Sequence, residues 1–159
     1  MVNVYLLLGS NLGNRQLFLQ DAARHIGNTT GKILLRSGIY ETKSWGKADA
    51  PDYLNQVLLL QTELHPQLLL AELLNIEIML GRQRLEKWGS RTVDIDILFY
   101  GEKVINESNL TVPHPELHNR RFTLEPLAEI APNLWHPVLN KTVLSLKNEL
   151  KDALSVKKI

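Results

Sequence analysis

The chain has 159 residues, 44% of them hydrophobic, with 18 Lys and Arg against 17 Asp and Glu for a formal charge of +1. That length suits one compact domain over 1–159 with a sizeable core, which excludes intrinsic disorder, and the balanced charge gives no overall field for nucleic acid or an anionic membrane. Zero cysteine excludes a disulfide scaffold, a thiolate zinc site and a Cys nucleophile.

Val2, Val4, Leu6 and Leu8 alternate with Asn3 and Tyr5, which predicts a mostly buried first strand over Val2–Leu8. Gly9-Ser10-Asn11-Leu12-Gly13-Asn14 breaks it. Leu19, Ala22, Ala23 and Ile26 recur at helical spacing, so a helix over about Arg15–Ile26 is expected to stop near Gly27-Asn28. Ile33–Thr42 and Leu54–Thr62 read as strands, joined by Lys43–Asp52, a connection too long for a tight hairpin. Pro66 opens a second helix whose stripe is Leu69, Leu73, Ile76 and Leu80 and which Gly81 can end. Val93–Tyr100 follows as a fourth strand, then a tail with helical segments around Thr123–Ile130 and Thr142–Leu150. The expected fold class is α+β: a ferredoxin-like β-α-β-β-α-β core, an antiparallel sheet with helices packed on it, and a C-terminal helical extension. No apolar run approaches the ~18 residues of a membrane span and no basic leader precedes the first strand, so a cytoplasmic protein is expected.

The chemistry concentrates around residues 82–96. Asp94 and Asp96 stand two apart in a strand, so both carboxylates project from one face while Val93, Ile95 and Ile97 point to the other. Like charges side by side are costly unless a cation or bases neutralise them. Hard oxygen ligands of this kind suit Mg²⁺, which takes one or two carboxylates and leaves its other positions to water and phosphate oxygens. A solvated edge strand is the alternative. Arg82, Arg84, Lys87 and Arg91 precede the pair with only Glu86 opposing them, a cationic loop that would suit a polyphosphate beside such a metal site. Trp88, in the same loop with Gly89 behind it, reads as a ligand cover.

Elsewhere the signals are weaker. His114 sits in a turn between Pro113 and Pro115 with Asn119-Arg120-Arg121-Phe122 close behind, and reads equally as structural or functional. His25, His65, His118 and His136 read as structural, since none is spaced with another as a metal pair. Asn55 could read the edge of a flat heterocycle or cap a strand end. Gly27-Asn28-Thr29-Thr30-Gly31-Lys32 is one residue short of a phosphate-binding loop and no G-x-G-x-x-G occurs, so arginines and metal would have to hold any nucleotide phosphates.

Over Gly81-Arg82-x-Arg84-x-x-x-Trp88-Gly89-Ser90-Arg91-Thr92-Val93-Asp94-Ile95-Asp96-Ile97-Leu98 the chain resembles the 6-hydroxymethyl-7,8-dihydropterin pyrophosphokinase family. Further resemblances follow in the same order along the chain: Gly9-Ser10-Asn11-Leu12-Gly13, Tyr40-Glu41-Thr42 with Gly46, Pro51-Asp52-Tyr53-Leu54-Asn55, Val112-Pro113-His114-Pro115, Asn119-Arg120-Arg121-Phe122 and Leu124-Glu125-Pro126-Leu127-Ala128-Glu129-Ile130-Ala131-Pro132. The resemblance implies diphosphate transfer from ATP, as co-substrate, to the pterin hydroxymethyl group in folate synthesis, with Asp94 and Asp96 holding two Mg²⁺ ions. It implies that Arg82, Arg84 and Arg91 handle the phosphates and that Glu77, Ile97, Thr111, His114 and Arg120 lie on the ATP side. It also implies a pterin between Tyr53 and Phe122, met by Asn55, Thr42, Lys43, Trp45 and Trp88. A monomer acting on these small molecules is expected. A phosphohydrolase using the same Asp pair is one rival; an RNA-binding module is another, which the 6% aromatic content and +1 charge disfavour.

Overall fold

The central strand β1 (Val2–Ser10) has antiparallel neighbours on both sides, β4 (Tyr53–Thr62) and β5 (Asp94–Tyr100). The computed structural model describes residues 1–43, 52–81, 92–152 and 155–159. The far edge of β4 is shared by β2 (Gly31–Arg36) and, further along, β3 (Tyr40–Thr42), while β10 (Val156–Lys158) closes the sheet beside β3. With α1 (Arg15–Thr29) after β1 and α2 (Pro66–Gly81) before β5, this is the expected ferredoxin-like α+β core.

Three local details differ from the sequence reading. The single strand expected over Ile33–Thr42 is two, because Leu34 is an extra residue in the β2 ladder and the chain leaves the ladder after Ser37. Ser37 is the hinge: its N–H donates to the Val57 carbonyl and its hydroxyl accepts from the Val57 N–H, both at 2.9 Å. The next amide, Gly38, turns to the carboxylate of Glu129, 3.1 Å from each oxygen. Second, α1 runs past Gly27-Asn28, since Gly27 keeps a helical backbone and the Thr29 and Thr30 hydroxyls satisfy the His25 and Ile26 carbonyls at 2.8 and 2.7 Å. Third, the tail is not purely helical. It has hairpins β6 (Ile105–Glu107) with β7 (Leu110–Val112) and β8 (Trp135–His136) with β9 (Lys141–Thr142), a 3₁₀ turn over Leu117–Asn119, and two helices, α3 (Arg121–Ile130) and α4 (Val143–Asn148). Thr142 caps α4 by accepting the Ser145 N–H at 3.2 Å.

The strand period of two divides the sheet into two apolar faces. Val4, Leu6, Leu8, Leu58, Leu60, Ile95 and Ile97 pack under Leu19, Ala22, Ala23 and Ile26 of α1 and Leu69, Leu73 and Ile76 of α2. On the other face Leu7, Val57, Leu98 and Phe99 pack under Leu124, Leu127 and Ala128 of α3 and Val143 and Leu146 of α4. A bulge allocates the end of β5: Tyr5 pairs with Phe99 and Leu6 with Ile97, so Leu98 is extra and joins Phe99 in the second core.

His136 belongs to this second core, edge-on to Phe99 with ring centroids 5.6 Å apart. Its Nδ1 accepts the Val138 and Leu139 N–H groups at 3.2 and 3.0 Å. Burial, then the nearby His118, hold its pKa below the ordinary 6.5. The folded protein therefore binds this proton less readily than the unfolded chain, and the stability His136 contributes is present above pH 6.5 and lost as pH falls through and below it. The melting temperature should drop between pH 7.5 and 5.5, and His136→Gln should flatten part of that drop; identical slopes in circular-dichroism melts would show that His136 is not a source of it.

Candidate active site

One end of the sheet face that α3 covers is polar instead of apolar. The registers set Tyr40 beside Asn55, Asn55 beside Gly9, and Gly9 beside Asp94, a row across four strands. Two strand spacings of ~4.8 Å put Asn55 and Asp94 about 10 Å apart across the bare backbone of Gly9. Asp96, two residues along β5, lies opposite Leu7 at the margin of the second core, and Thr42 and Tyr53 pair next to the row. The expectation that both carboxylates share a face, with Val93, Ile95 and Ile97 in the core on the other, agrees with the burial of those three side chains.

Gly9 and Ser10, expected to break the first strand, are instead its last residues, and the glycine is there for space. A Cβ at position 9 would stand 2.9 Å from Asn55 Nδ2, closer than real side chains approach. Asn55 is buried, and its amide donates to the Leu8 carbonyl at 3.2 Å, which holds the carboxamide flat over Gly9. A lone glycine in an apolar strand is the signal of such close approach. Beside it Thr42 is buried with a hydroxyl that has no hydrogen-bond partner among the described residues. At this same end of β1 the Ser10 hydroxyl donates to the Thr92 carbonyl at 2.5 Å, tying the start of β5 to the central strand.

The charged and aromatic groups around the row sense one another. Burial, then the charge of Asp94, raises the Tyr53 hydroxyl pKa above its ordinary value. His114 is held below 6.5 by burial and by Arg120, against the opposing pull of Asp96 and Glu116. Its Nδ1 accepts the Glu116 N–H at 3.1 Å, which assigns the proton of the neutral ring to Nε2. The Arg120 guanidinium lies 5.5 Å from the Phe122 ring centroid at the entry to α3. Asp94, Tyr53, Asp96, His114, Arg120 and Phe122 thus form a connected neighbourhood assembled from four parts of the chain.

The other expected site residues lie outside this neighbourhood or outside the described residues. Glu77 reaches from α2 to the outer edge of the sheet, where its carboxylate accepts the Ile95 N–H at 2.7 Å. Ile97 is 5% exposed and its side chain lies in the first core, facing away from the Asp pair. Thr111 is half-buried in β7 opposite Asn106, and Lys43 is exposed just after β3. Arg82, Arg84, Lys87, Trp88, Gly89 and Arg91, with Ser44, Trp45 and Gly46, lie outside the described residues. Among the described residues no three His, Asp or Glu side chains cluster as a metal site. Two oxygen-only carboxylates on one strand face nonetheless fit Mg²⁺, whose remaining positions go to water and phosphate. Glu129 is a further holding residue that no local sequence pattern marks. Its carboxylate takes the Gly38 N–H, the Tyr40 hydroxyl at 2.7 Å and Lys158 Nζ at 3.4 Å, and so holds β3 from the α3 side.

A family model for 7,8-dihydro-6-hydroxymethylpterin-pyrophosphokinase matches residues 5–132. The chain is 44% identical over 138 residues to a 2-amino-4-hydroxy-6-hydroxymethyldihydropteridine pyrophosphokinase of Haemophilus influenzae, covering 86% of each chain. It is 42% identical over 149 residues to the protein of the same name from Aquifex aeolicus, covering 94% of this chain and 92% of that one. The folic acid synthesis protein fol1 of Pneumocystis carinii is 43% identical over 149 residues, of which this chain spans only 20%. Among solved structures, a Plasmodium falciparum HPPK-DHPS chain superposes with a TM-score of 0.76 at 19% identity, over 93% of this chain and 45% of that one. At that identity the likeness concerns the fold alone.

Gly9→Ala should destabilise by about 1–3 kcal/mol, because the added methyl displaces a buried, hydrogen-bonded amide. Gly27→Ala is the contrast: its Cβ would meet only Ile33 Cδ1 at 3.7 Å, an ordinary contact within a helix, and should be neutral or stabilising. Urea denaturation of both variants checks the pair, and equal effects would remove the steric reading of Gly9.

Proposed function

This chain belongs to the 7,8-dihydro-6-hydroxymethylpterin-pyrophosphokinase family, and from that membership we propose how its residues share out the transfer of diphosphate from ATP to the hydroxymethyl oxygen of 6-hydroxymethyl-7,8-dihydropterin. In that reaction a bond forms between the hydroxymethyl oxygen and the β-phosphorus, the bond from the β-phosphorus to the oxygen bridging it to the α-phosphorus breaks, AMP leaves with that oxygen, and the hydroxyl proton is released. The single observation that carries the assignment is the row Asn55, Gly9, Asp94. It offers a hydrogen-bonding amide for one end of a flat heterocycle, a floor without side chains, and a carboxylate pair at the other end.

Asn55 reads the pterin edge, and the Thr42 hydroxyl, which has no hydrogen-bond partner among the described residues, supplies a second polar contact beside it. Tyr53 and Phe122 cover the ring faces, and Lys43, Trp45 and Trp88 complete that side. Asp94 and Asp96 would hold Mg²⁺, as two ions, through their carboxylate oxygens. Bound Mg²⁺ would supply neutralisation of the phosphoryl oxygens and of the carboxylate pair. Neutral His114 offers its Nε2–H, and Arg120 its guanidinium, to the nucleotide. Arg82, Arg84 and Arg91 add the forked donors that polyphosphate oxygens accept. Glu77, the Ile97 backbone and Thr111 border the adenosine. The chemistry asked of the protein is then positioning and charge neutralisation, as in phosphoryl transfer generally.

Incubation with ATP, Mg²⁺ and the reduced pterin should yield AMP and pterin diphosphate; ADP, or phosphate released without pterin, would overturn the assignment. Chelation by EDTA should abolish turnover and Mg²⁺ restore it. Asp96→Ala should cut turnover by orders of magnitude while the fold persists, and an active variant would remove the metal role. Asn55→Ala, which leaves ligand groups unpaired at a cost of about 1–3 kcal/mol, should weaken pterin binding and leave an ATP analogue unaffected. Equal loss of both ligands would make Asn55 a structural residue.

A further inference from the structure

At its Thr42 and Tyr53 end, the β3–β4 pair carries a cross-link that lies on neither core. Arg15, the first residue of α1, sends one nitrogen of its guanidinium to both strands: Nη1 donates to Glu41 Oε2 at 2.9 Å and to the Asp52 carbonyl at 2.6 Å. Both N–H bonds of that nitrogen are used, one for each strand. Glu41 precedes Thr42 in β3, and Asp52 precedes Tyr53, the first residue of β4, while Thr42 and Tyr53 are themselves cross-strand partners. A three-residue strand such as β3 has little ladder of its own. A half-exposed ion pair alone would contribute little. The added bond to a backbone carbonyl makes this a fixed spacer between the two strands.

We infer that Arg15 is a positioning residue for the pterin side of the site: it sets the separation and register of Thr42 and Tyr53 without touching the substrate. The inference rests on the placement of the pterin proposed above. Glu129 holds the other end of β3 from the opposite face of the sheet, through Gly38 and Tyr40, so the two residues together define where the strand sits. α1 begins at Arg15 after the turn that leaves Gly9 and Ser10, so the clamp also ties the helix entry, which follows the strand that floors the site, to β3 and the start of β4.

The test combines a ligand-independent and a ligand-dependent readout. In Arg15→Met, amide exchange at Thr42 and Tyr53 should accelerate at least tenfold while exchange in the middle of β4 is unchanged. By calorimetry the pterin dissociation constant should rise about tenfold, the dissociation constant of a non-hydrolysable ATP analogue should stay within twofold, and kcat should change less than the pterin KM. Arg15→Lys keeps the charge on a shorter stem and should fall between wild type and Arg15→Met. Glu41→Gln keeps an acceptor without the charge and should cost only a few-fold, and it carries the same test should Arg15→Met fold poorly. A folded Arg15→Met with unchanged exchange and unchanged pterin affinity overturns the role. So does equal weakening of pterin and nucleotide, which a general loss of structure would give. A wild-type chain that does not bind the pterin overturns the functional assignment as well, whereas wild-type binding with an indifferent Arg15→Met overturns the positioning role alone.

Discussion

The site depends on the register of β1 with both its neighbours, which sets a glycine between an amide and a carboxylate. Antiparallel pairing makes side chains directly across from one another share a face, so once Gly9 opposes Asn55 and Asp94 their common side is decided. A slip of one residue would turn the Asp pair into the apolar layer under α1 and α2. That layer resists the slip, because Val4, Leu6 and Leu8 of β1, Leu58 and Leu60 of β4, and Ile95 and Ile97 of β5 are all buried there. Removing any of these large side chains typically costs 2–5 kcal/mol, far more than any exposed ion pair contributes. The apolar face thus holds the polar row in place from behind.

The opposite face is shared between stability and chemistry. Leu7, Val57 and Phe99 bury against α3 and α4, while the same face further along β1, β4 and β5 is polar. Helix α3 serves both, since Leu124, Leu127 and Ala128 fill the core, Phe122 and the preceding Arg120 reach the site, and Glu129 holds β3. Burial raises the Glu129 pKa, but hydrogen bonds from Tyr40, Gly38 and Lys158 outweigh it, and the net value lies below the ordinary carboxylate range. The carboxylate is therefore charged near neutrality. Tyr40, raised by burial and by the same hydrogen bond, stays a donor. This places β3 by side-chain bonds more than by its own short ladder, and β10 adds a strand at its outer edge.

Much of this was legible in the sequence because strands and helices announce themselves by period. The alternation in Val2–Leu8, the stripe of α2 and the pairing of Asp94 with Asp96 are local patterns, and each is found where the pattern puts it. The motif order also led to the right family. Less legible were features that join distant residues: the break at Ser37, held by Val57 twenty positions on, the strand β10, and the grip of Glu129 on Gly38. No window of neighbouring residues contains both partners of such a contact.

What the sequence by itself determined is the order of the core elements, the two faces of its strands and the residue types available for phosphate, metal and heterocycle. These follow from backbone geometry and side-chain chemistry, which are properties of short segments. Only the tertiary structure decided that Gly9 is a space left for Asn55 and that Glu77 satisfies the sheet edge at Ile95. Each of these is settled by register and by packing between segments far apart in the chain, where one side chain's room or hydrogen-bond partner is set by another's position.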